Sequence, residues 1–149
     1  MEELITLKEL LHQGKISEAI ELVEELEEMS KSDKLNKIFS YGIILLLHLI
    51  KKIAENRTTK SWETSIRNAV KQIQRTNQRH KAKGTYLTEN ELRETLEDAY
   101  DSALDRASLE AFEGRYEAEE IGEMVKRDDV IKIAMGLIID QKYAEITMN

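Results

Sequence analysis

The sequence predicts an all-α fold, a helical bundle of five to seven helices with a buried central third helix. Three observations lead to this prediction. The 149 residues contain no proline, the strongest helix breaker. Short alternating runs rich in Val, Thr and aromatic residues, which indicate strands, are nearly missing. Apolar residues instead recur every three or four positions, as in amphipathic helices. The length fits a single domain, 1–149, in which 115–149 form a C-terminal extension.

The N-terminal part predicts two short helices that are separated by a glycine. The first covers about 2–13 and the second about 18–29, with Ser17 as its N-cap. Gly14 lies between them, because glycine commonly takes the left-handed conformation just after a helix. The apolar residues of each helix share one face: Leu4, Leu7, Leu10 and Leu11 in the first, and Ile20, Val23 and Leu26 in the second.

The third helix is predicted to begin at Ser32 or Asp33 and to end near Asn56. Its middle is apolar on every side, which is typical of a helix buried at the centre of a bundle. Its apolar residues are Leu35, Ile38, Phe39, Ile43, Ile44, Leu45, Leu46, Leu47, Leu49, Ile50 and Ile53.

Two further amphipathic helices follow. The fourth covers about 61–80, with Thr59 or Ser61 at its cap and Trp62 at its start. The fifth begins at a capping box, Thr88 with Glu91, and ends near Gly114. Their expected inward residues are Trp62, Ile66, Ala69, Val70 and Ile73 in the fourth, and Leu92, Leu96, Ala99, Tyr100, Ala103 and Ala107 in the fifth.

The last part of the chain predicts two short elements. Residues 115–125 are expected to be helical, with Ile121 and Val125 facing inward. Residues 130–139 form a helix capped by Asp128 or Asp129, or else a strand, because the segment is rich in β-branched residues.

Composition limits the classes of protein to which the chain can belong. Cysteine is absent, which excludes disulfides, a thiolate nucleophile and a cysteine-based zinc site. The first residues lack the basic and apolar segments of a signal peptide. The longest apolar run, 43–50, is far shorter than the roughly 20 residues of a membrane span. We therefore expect a cytoplasmic protein that does not enter a membrane.

Charge is distributed unevenly along the chain. The formal net charge is −7 overall, −7 for residues 1–30, +10 for 31–83 and −10 for 84–149. On the fourth helix Arg67, Lys71, Arg75 and Arg79 lie opposite the apolar stripe. This basic row is either a solvated face or a docking surface for another protein, including a second copy of the chain. Nucleic acid is disfavoured, because the chain is acidic overall and no aromatic residues lie among the bases.

No motif predicts a reaction, a metal ion or a cofactor. The pair Glu9 and His12 has the spacing used in di-iron bundles, but such a site needs two of these pairs and two further glutamates. Arg75 and His80 resemble the Arg-x4-His motif of the helical HEPN ribonucleases. On one continuous helix these two side chains diverge, and Thr76 replaces the asparagine that is usual there.

Three segments together resemble a known family. They are Glu24-Glu25-Leu26-Glu27-Glu28-Met29, Leu45-Leu46-Leu47-His48-Leu49-Ile50-Lys51 and Ser61-Trp62-Glu63-Thr64-Ser65-Ile66. In this order they are similar to the bacterial, largely cyanobacterial family catalogued as domain of unknown function twenty-nine, over about 4–110. The resemblance implies an α-helical fold and no established activity. Its strong positions are Glu24, Glu25, His48, Lys51, Ser61 and Trp62. The chain departs from the family pattern after Lys51 and, beyond Gly114, follows no pattern of the family.

These features predict a cytoplasmic interaction protein, a homodimer or a partner-binding module without catalytic activity. A HEPN-like ribonuclease, or the helical component of a toxin–antitoxin pair, is the alternative. His48 is interpreted as a packed, hydrogen-bonded core residue, and a titrating switch or a catalytic base is the other possibility. We expect Glu25 to bond to His48 from a neighbouring helix, because buried polar groups need partners.

Overall fold

The computed structural model describes residues 2–79 and 83–139, which form six α-helices and one short 3₁₀ helix and contain no strand. In chain order the helices are α1 (Glu2–His12), α2 (Ile16–Glu55), α3 (Lys60–Asn77), α4 (Glu89–Glu110), α5 (Ala118–Met124) and α6 (Arg127–Ile139), with the 3₁₀ helix at Ala111–Gly114. The prediction of an all-α fold is confirmed.

The predicted second and third helices are one continuous helix of 40 residues, α2. The expected break before Ser32 is wrong. Serine, aspartate and lysine lower helix propensity only slightly, and no proline or glycine stands between Ile16 and Ile38 to end the helix. The third helix of the prediction is therefore the second half of α2.

The chain divides into two compact units, and α2 contributes to both. The first unit ends at Lys34 and the second begins at Leu35. The prediction of a single domain stays a prediction.

The first unit consists of α1 and the beginning of α2, which form a helical hairpin. The amide of Lys15 donates to the carbonyl of Leu10 at 2.9 Å, and that of Gly14 to the carbonyl of Leu11 at 3.1 Å. With Gly14 at a φ of +74°, this is a Schellman turn. A helix restarts at Ile16, so that the connection is short. Connections of this length join the antiparallel helices of αα-hairpins, and we infer this orientation for α1 and α2.

The second unit holds the main hydrophobic core. The second half of α2 supplies Ile38, Leu45, Leu46 and Ile50, which are fully buried. The expected inward residues of the fourth and fifth helices are buried as well, except for Trp62, which is half-buried. Gly42 allows α2 and α4 to approach closely, since a Cβ at this position would lie 3.1 Å from Leu96 Cδ2.

Hydrogen-bonded caps begin α3 and α4. Thr59 Oγ1 accepts from the amide of Trp62, and Thr88 and Glu91 form the predicted capping box. Residues 130–139 lie in α6, so that the alternative of a strand is wrong. Three of their β-branched residues, Val130, Ile131 and Ile138, are buried in this helix, and this burial outweighs the residues' modest preference for strands.

Candidate functional site

The basic row is only partly helical. Arg67, Lys71 and Arg75 are exposed on α3 at the predicted spacing. Arg79 is not part of the helical row, because α3 ends at Asn77, whose side chain accepts from the amide of Leu87 at 2.8 Å. The Arg79 guanidinium instead lies 5.8 Å from the centre of the Tyr86 ring.

The end of α3 also bears on the Arg-x4-His motif. Arg75 lies in the last turn of α3, which ends at Asn77. His80 itself lies outside the described residues.

A buried cation, Lys51, lies close to two other family-motif residues, His48 and Trp62. Its side chain is 6% exposed, and Nζ donates to Glu110 Oε1 at 3.0 Å. Nζ also lies 4.5 Å from the centre of the Trp62 ring, while the Arg57 guanidinium lies 4.7 Å from it. The Thr59 cap holds the first turn of α3 and so positions Trp62. The ion pair and the aromatic ring together stabilise the charge of Lys51 in its buried position.

His48 lies about one turn before Lys51 on α2 and is half-buried. Within the described residues its Nδ1 is buried and has no hydrogen-bond partner. Burial lowers the pKa of His48 and the charge of Lys51 adds to this effect, while Glu110 opposes it. The imidazole therefore favours its neutral form.

The predicted bond between Glu25 and His48 is wrong. Both residues belong to α2, and Glu25 is exposed. Side chains on one helix meet at spacings of three or four residues, far less than the separation of this pair. The expected bond needed Glu25 and His48 to lie on two neighbouring helices, but both lie on the single continuous helix α2.

The family-motif positions thus divide into two groups. His48, Lys51 and Trp62 lie close together in the second unit. Glu24 is exposed in the first unit, as is Glu25, and Ser61 is exposed at the start of α3. Glu110 carries no signal in the sequence that marks it as a functional residue, because it is 59 residues from Lys51 and shares no local motif with it.

A second polar network joins α2 to α3. Lys52 Nζ lies 2.8 Å from Glu63 Oε1, to which the Thr58 hydroxyl donates at 2.7 Å. These two hydrogen bonds lower the pKa of Glu63, against a smaller opposing effect of burial. The carboxylate therefore stays charged and holds the α2–α3 connection in place.

An open cleft of about 460 Å³ lies beside this network. Both of its cations are paired with carboxylates, Lys52 with Glu63 and Arg57 with Glu55. The cleft therefore presents little net charge to a ligand. Its lining residues are Leu49, Lys52, Ile53, Asn56, Arg57, Thr58 and Ile133.

Residues 2–79 and 83–139 contain neither a metal-binding group of side chains nor a membrane-spanning helix. No three acidic or histidine side chains there are grouped so that they could hold a metal ion. No helix in those ranges is long and apolar enough to cross a membrane.

The first unit has an unusual distribution of apolar residues. No residue of α1 is buried, and Ala19 is the one buried residue before Ile38 in the described part of α2. Leu7 and Leu10 of α1 are half-buried, as are Leu22 and Leu26 of α2. These residues mark the sides on which the two helices pack. Seven other large apolar residues of the hairpin are exposed. Ile5 and Met29 point to other sides of their helices. The remaining five, which are between 37% and 59% exposed, are Leu4, Leu11, Ile16, Ile20 and Val23.

These five exposed residues lie on the same side of the hairpin. At 100° per residue, Leu4 and Leu11 are rotated by about 80° from the packing side of α1. The three residues of α2 are rotated by about 100° from the packing side of α2, in the same sense. Because the helices run antiparallel, similar rotations in the same sense, each viewed from the N-terminus of its own helix, point to the same side of the hairpin. We call this surface, formed by Leu4, Leu11, Ile16, Ile20 and Val23, the hairpin face.

Comparison with known proteins gives one result that bears on identity. The family model described as "Domain of unknown function DUF29" matches residues 4–128, which extends beyond the expected limit near 110 to include α5. The expectation that the chain follows no family pattern beyond Gly114 is therefore wrong. Neither the curated proteins nor the solved structures contain a match. The family match covers most of the chain, and the protein belongs to the DUF29 family.

Proposed function

We propose that the protein works by self-association, as a protein–protein interaction module that docks through the hairpin face. The observation that carries this proposal is the exposure of five large aliphatic side chains on one side of the hairpin. Contiguous apolar surface of this kind marks an interaction site more often than single exposed leucines do.

The energetics of helical bundles support this assignment. An αα-hairpin with few buried side chains gains little from folding alone, because helical stability in proteins comes mostly from packing. Two hairpins placed face to face form a four-helix bundle whose core comes from both copies. Covering a half-exposed Leu or Ile side chain contributes about 1 kcal/mol to the free energy of association. In a dimer with twofold symmetry each of these side chains is covered twice, once in each copy.

The other polar features of the protein fit structural roles better. Lys51 is buried against Glu110 and Trp62, and Glu63 is bonded to Lys52 and Thr58. The exposed bases of α3 are separated by polar residues such as Thr64 and Asn68, so that this row lacks an apolar centre. We therefore locate the association at the hairpin face and not at the basic row.

The molar mass in solution tests the proposal. We expect light scattering to give twice 17.3 kDa at high protein concentration and a decrease towards 17.3 kDa on dilution. Ile20→Glu introduces a charge into the hairpin face and should give the monomer at every concentration. A mass of 17.3 kDa for the wild type at all concentrations would refute self-association.

A matched control is available on α1. Ile5 is 57% exposed, much like Ile20, but it points away from the hairpin face. Ile5→Glu should therefore leave the dimer intact. If both variants dissociate equally, the association does not depend on this face.

A further inference from the structure

We infer that the two copies pair with their hairpin turns at opposite ends, so that α2 of one copy lies antiparallel to α2 of the other, and that Lys15 and Glu27 specify this arrangement. The inference rests on the proposed self-association and adds its geometry. It names two charged residues whose role is to orient the second copy.

Two symmetric ways exist to place one hairpin face on another. A twofold axis parallel to the helices puts both turns at the same end and faces α2 with α1 of the other copy. An axis perpendicular to the helices puts the turns at opposite ends and faces α2 with α2. The two arrangements bury the same apolar side chains, so that apolar burial alone does not choose between them.

The charges at the two ends of the face differ in sign. Lys15 lies at the turn, directly before Ile16, and is exposed. Glu27 lies four residues after Val23 on the same side of α2, at the open end of the hairpin, and is exposed as well. The apolar part of the face on α2 lies between these opposite charges.

Only the arrangement with the turns at opposite ends brings the opposite charges of Lys15 and Glu27 together across the interface. When the twofold axis crosses α2 midway between Lys15 and Glu27, each residue lies about 9 Å from the axis along the helix, at 1.5 Å per residue. Lys15 of each copy then lies opposite Glu27 of the other copy. The same-end arrangement sets Lys15 near its own counterpart and Glu27 beside the acidic first turn of α1, which contains Glu2 and Glu3. Like charges brought together oppose pairing, so that electrostatic complementarity selects the first arrangement.

Charge reversal tests the inference. Lys15→Glu and Glu27→Lys should each weaken dimerisation about tenfold, because the twofold axis repeats a rim ion pair that alone changes affinity by a factor of two to five. The double variant should restore affinity to within about threefold of wild type. Glu25→Lys is the matched control, since Glu25 lies on α2 but points away from the hairpin face. It should leave the affinity unchanged.

Cross-linking gives a second measurement, which the absence of native cysteine makes simple. A mixture of the Lys15→Cys and Glu27→Cys proteins should form a disulfide-linked dimer under mild oxidation, and each protein alone should form much less. A dimer by mass that gives no mixed cross-link, or a double charge reversal that fails to restore affinity, overturns the antiparallel arrangement and leaves self-association standing. A wild-type protein that is monomeric at every concentration overturns the proposed function itself.

Discussion

At the scale of single residues, the environment of Lys51 contains one contact that the sequence predicts poorly, its ion pair with Glu110. The family resemblance marked Lys51, His48 and Trp62, and the structure brings these three together. Glu110, which pairs with Lys51, carries no local signal, because a contact between residues far apart in the chain depends on how α2 packs against α4. The helical period predicts which side of a helix is buried, but it does not predict which residue of another helix will be opposite.

The unpaired Nδ1 of His48 leads to a prediction about stability. A buried polar atom without a partner costs about 1 kcal/mol or more, so that His48→Leu should raise the free energy of unfolding by about 1 kcal/mol at pH 8. Chemical denaturation measures this difference. A decrease of more than about 1 kcal/mol, with the fold intact, would mean that the imidazole has a favourable polar contact.

The pH dependence of stability follows from the same environment. The pKa of His48 is lowered in the folded state, so that the unfolded chain binds more protons between that lowered pKa and the ordinary value near 6.5. Stability is therefore fully present above pH 6.5 and decreases as the pH falls through this window. His48→Asn keeps a polar side chain that does not titrate, and it should remove this part of the decrease between pH 7 and pH 5.5. An unchanged slope in the variant would assign the pH dependence to other groups.

At the scale of elements, two of the expected N-caps had different outcomes. Thr88 caps α4 through a capping box, a reciprocal pair that is complete within four residues and therefore visible in the sequence. Ser32 and Asp33 have suitable side chains but lie inside α2. Residues of these types are common caps and are also tolerated within helices, so that their presence alone does not mark a break.

Proline substitution distinguishes a continuous α2 from two separate helices. At the first position of a helix proline is well tolerated, whereas in a helix interior it costs about 3 kcal/mol. If α2 is continuous, Asp33→Pro should lower the free energy of unfolding by about 3 kcal/mol and reduce the helical circular dichroism signal. Glu89→Pro is the control, because Glu89 directly follows the Thr88 cap and Thr88 already has an extended backbone. If the two variants are equally stable, Asp33 lies at the beginning of a helix and α2 is not continuous.

At the scale of the whole molecule, the two units differ in how they obtain stability. The second unit has a core built from five helices, α2 to α6, and many of its aliphatic side chains are fully buried. The first unit buries almost nothing between its two helices. The apolar stripes of this hairpin were visible in the sequence, but periodicity alone does not reveal whether a second chain covers them.

This difference predicts that the stability of α1 depends on protein concentration. In a dimer the hairpin face is covered, and binding stabilises the folded hairpin by mass action, whereas the core of the second unit does not depend on the partner. Hydrogen exchange followed by mass spectrometry should show that the amides of α1 lose protection when the protein is diluted below its dimerisation constant. The amides of α4, which lies in the core of the second unit, should keep theirs.

The Ile20→Glu variant makes this measurement independent of dilution. It removes the dimer but leaves the intrahelical hydrogen bonds and the packing of Leu7 and Leu10 in place. If association stabilises the hairpin, α1 in this variant should exchange at high concentration as fast as in the diluted wild type, while Ile5→Glu should behave like the concentrated wild type. If α1 is equally protected in all samples, the hairpin is stable without a partner. Association would then not be needed to keep the first unit folded.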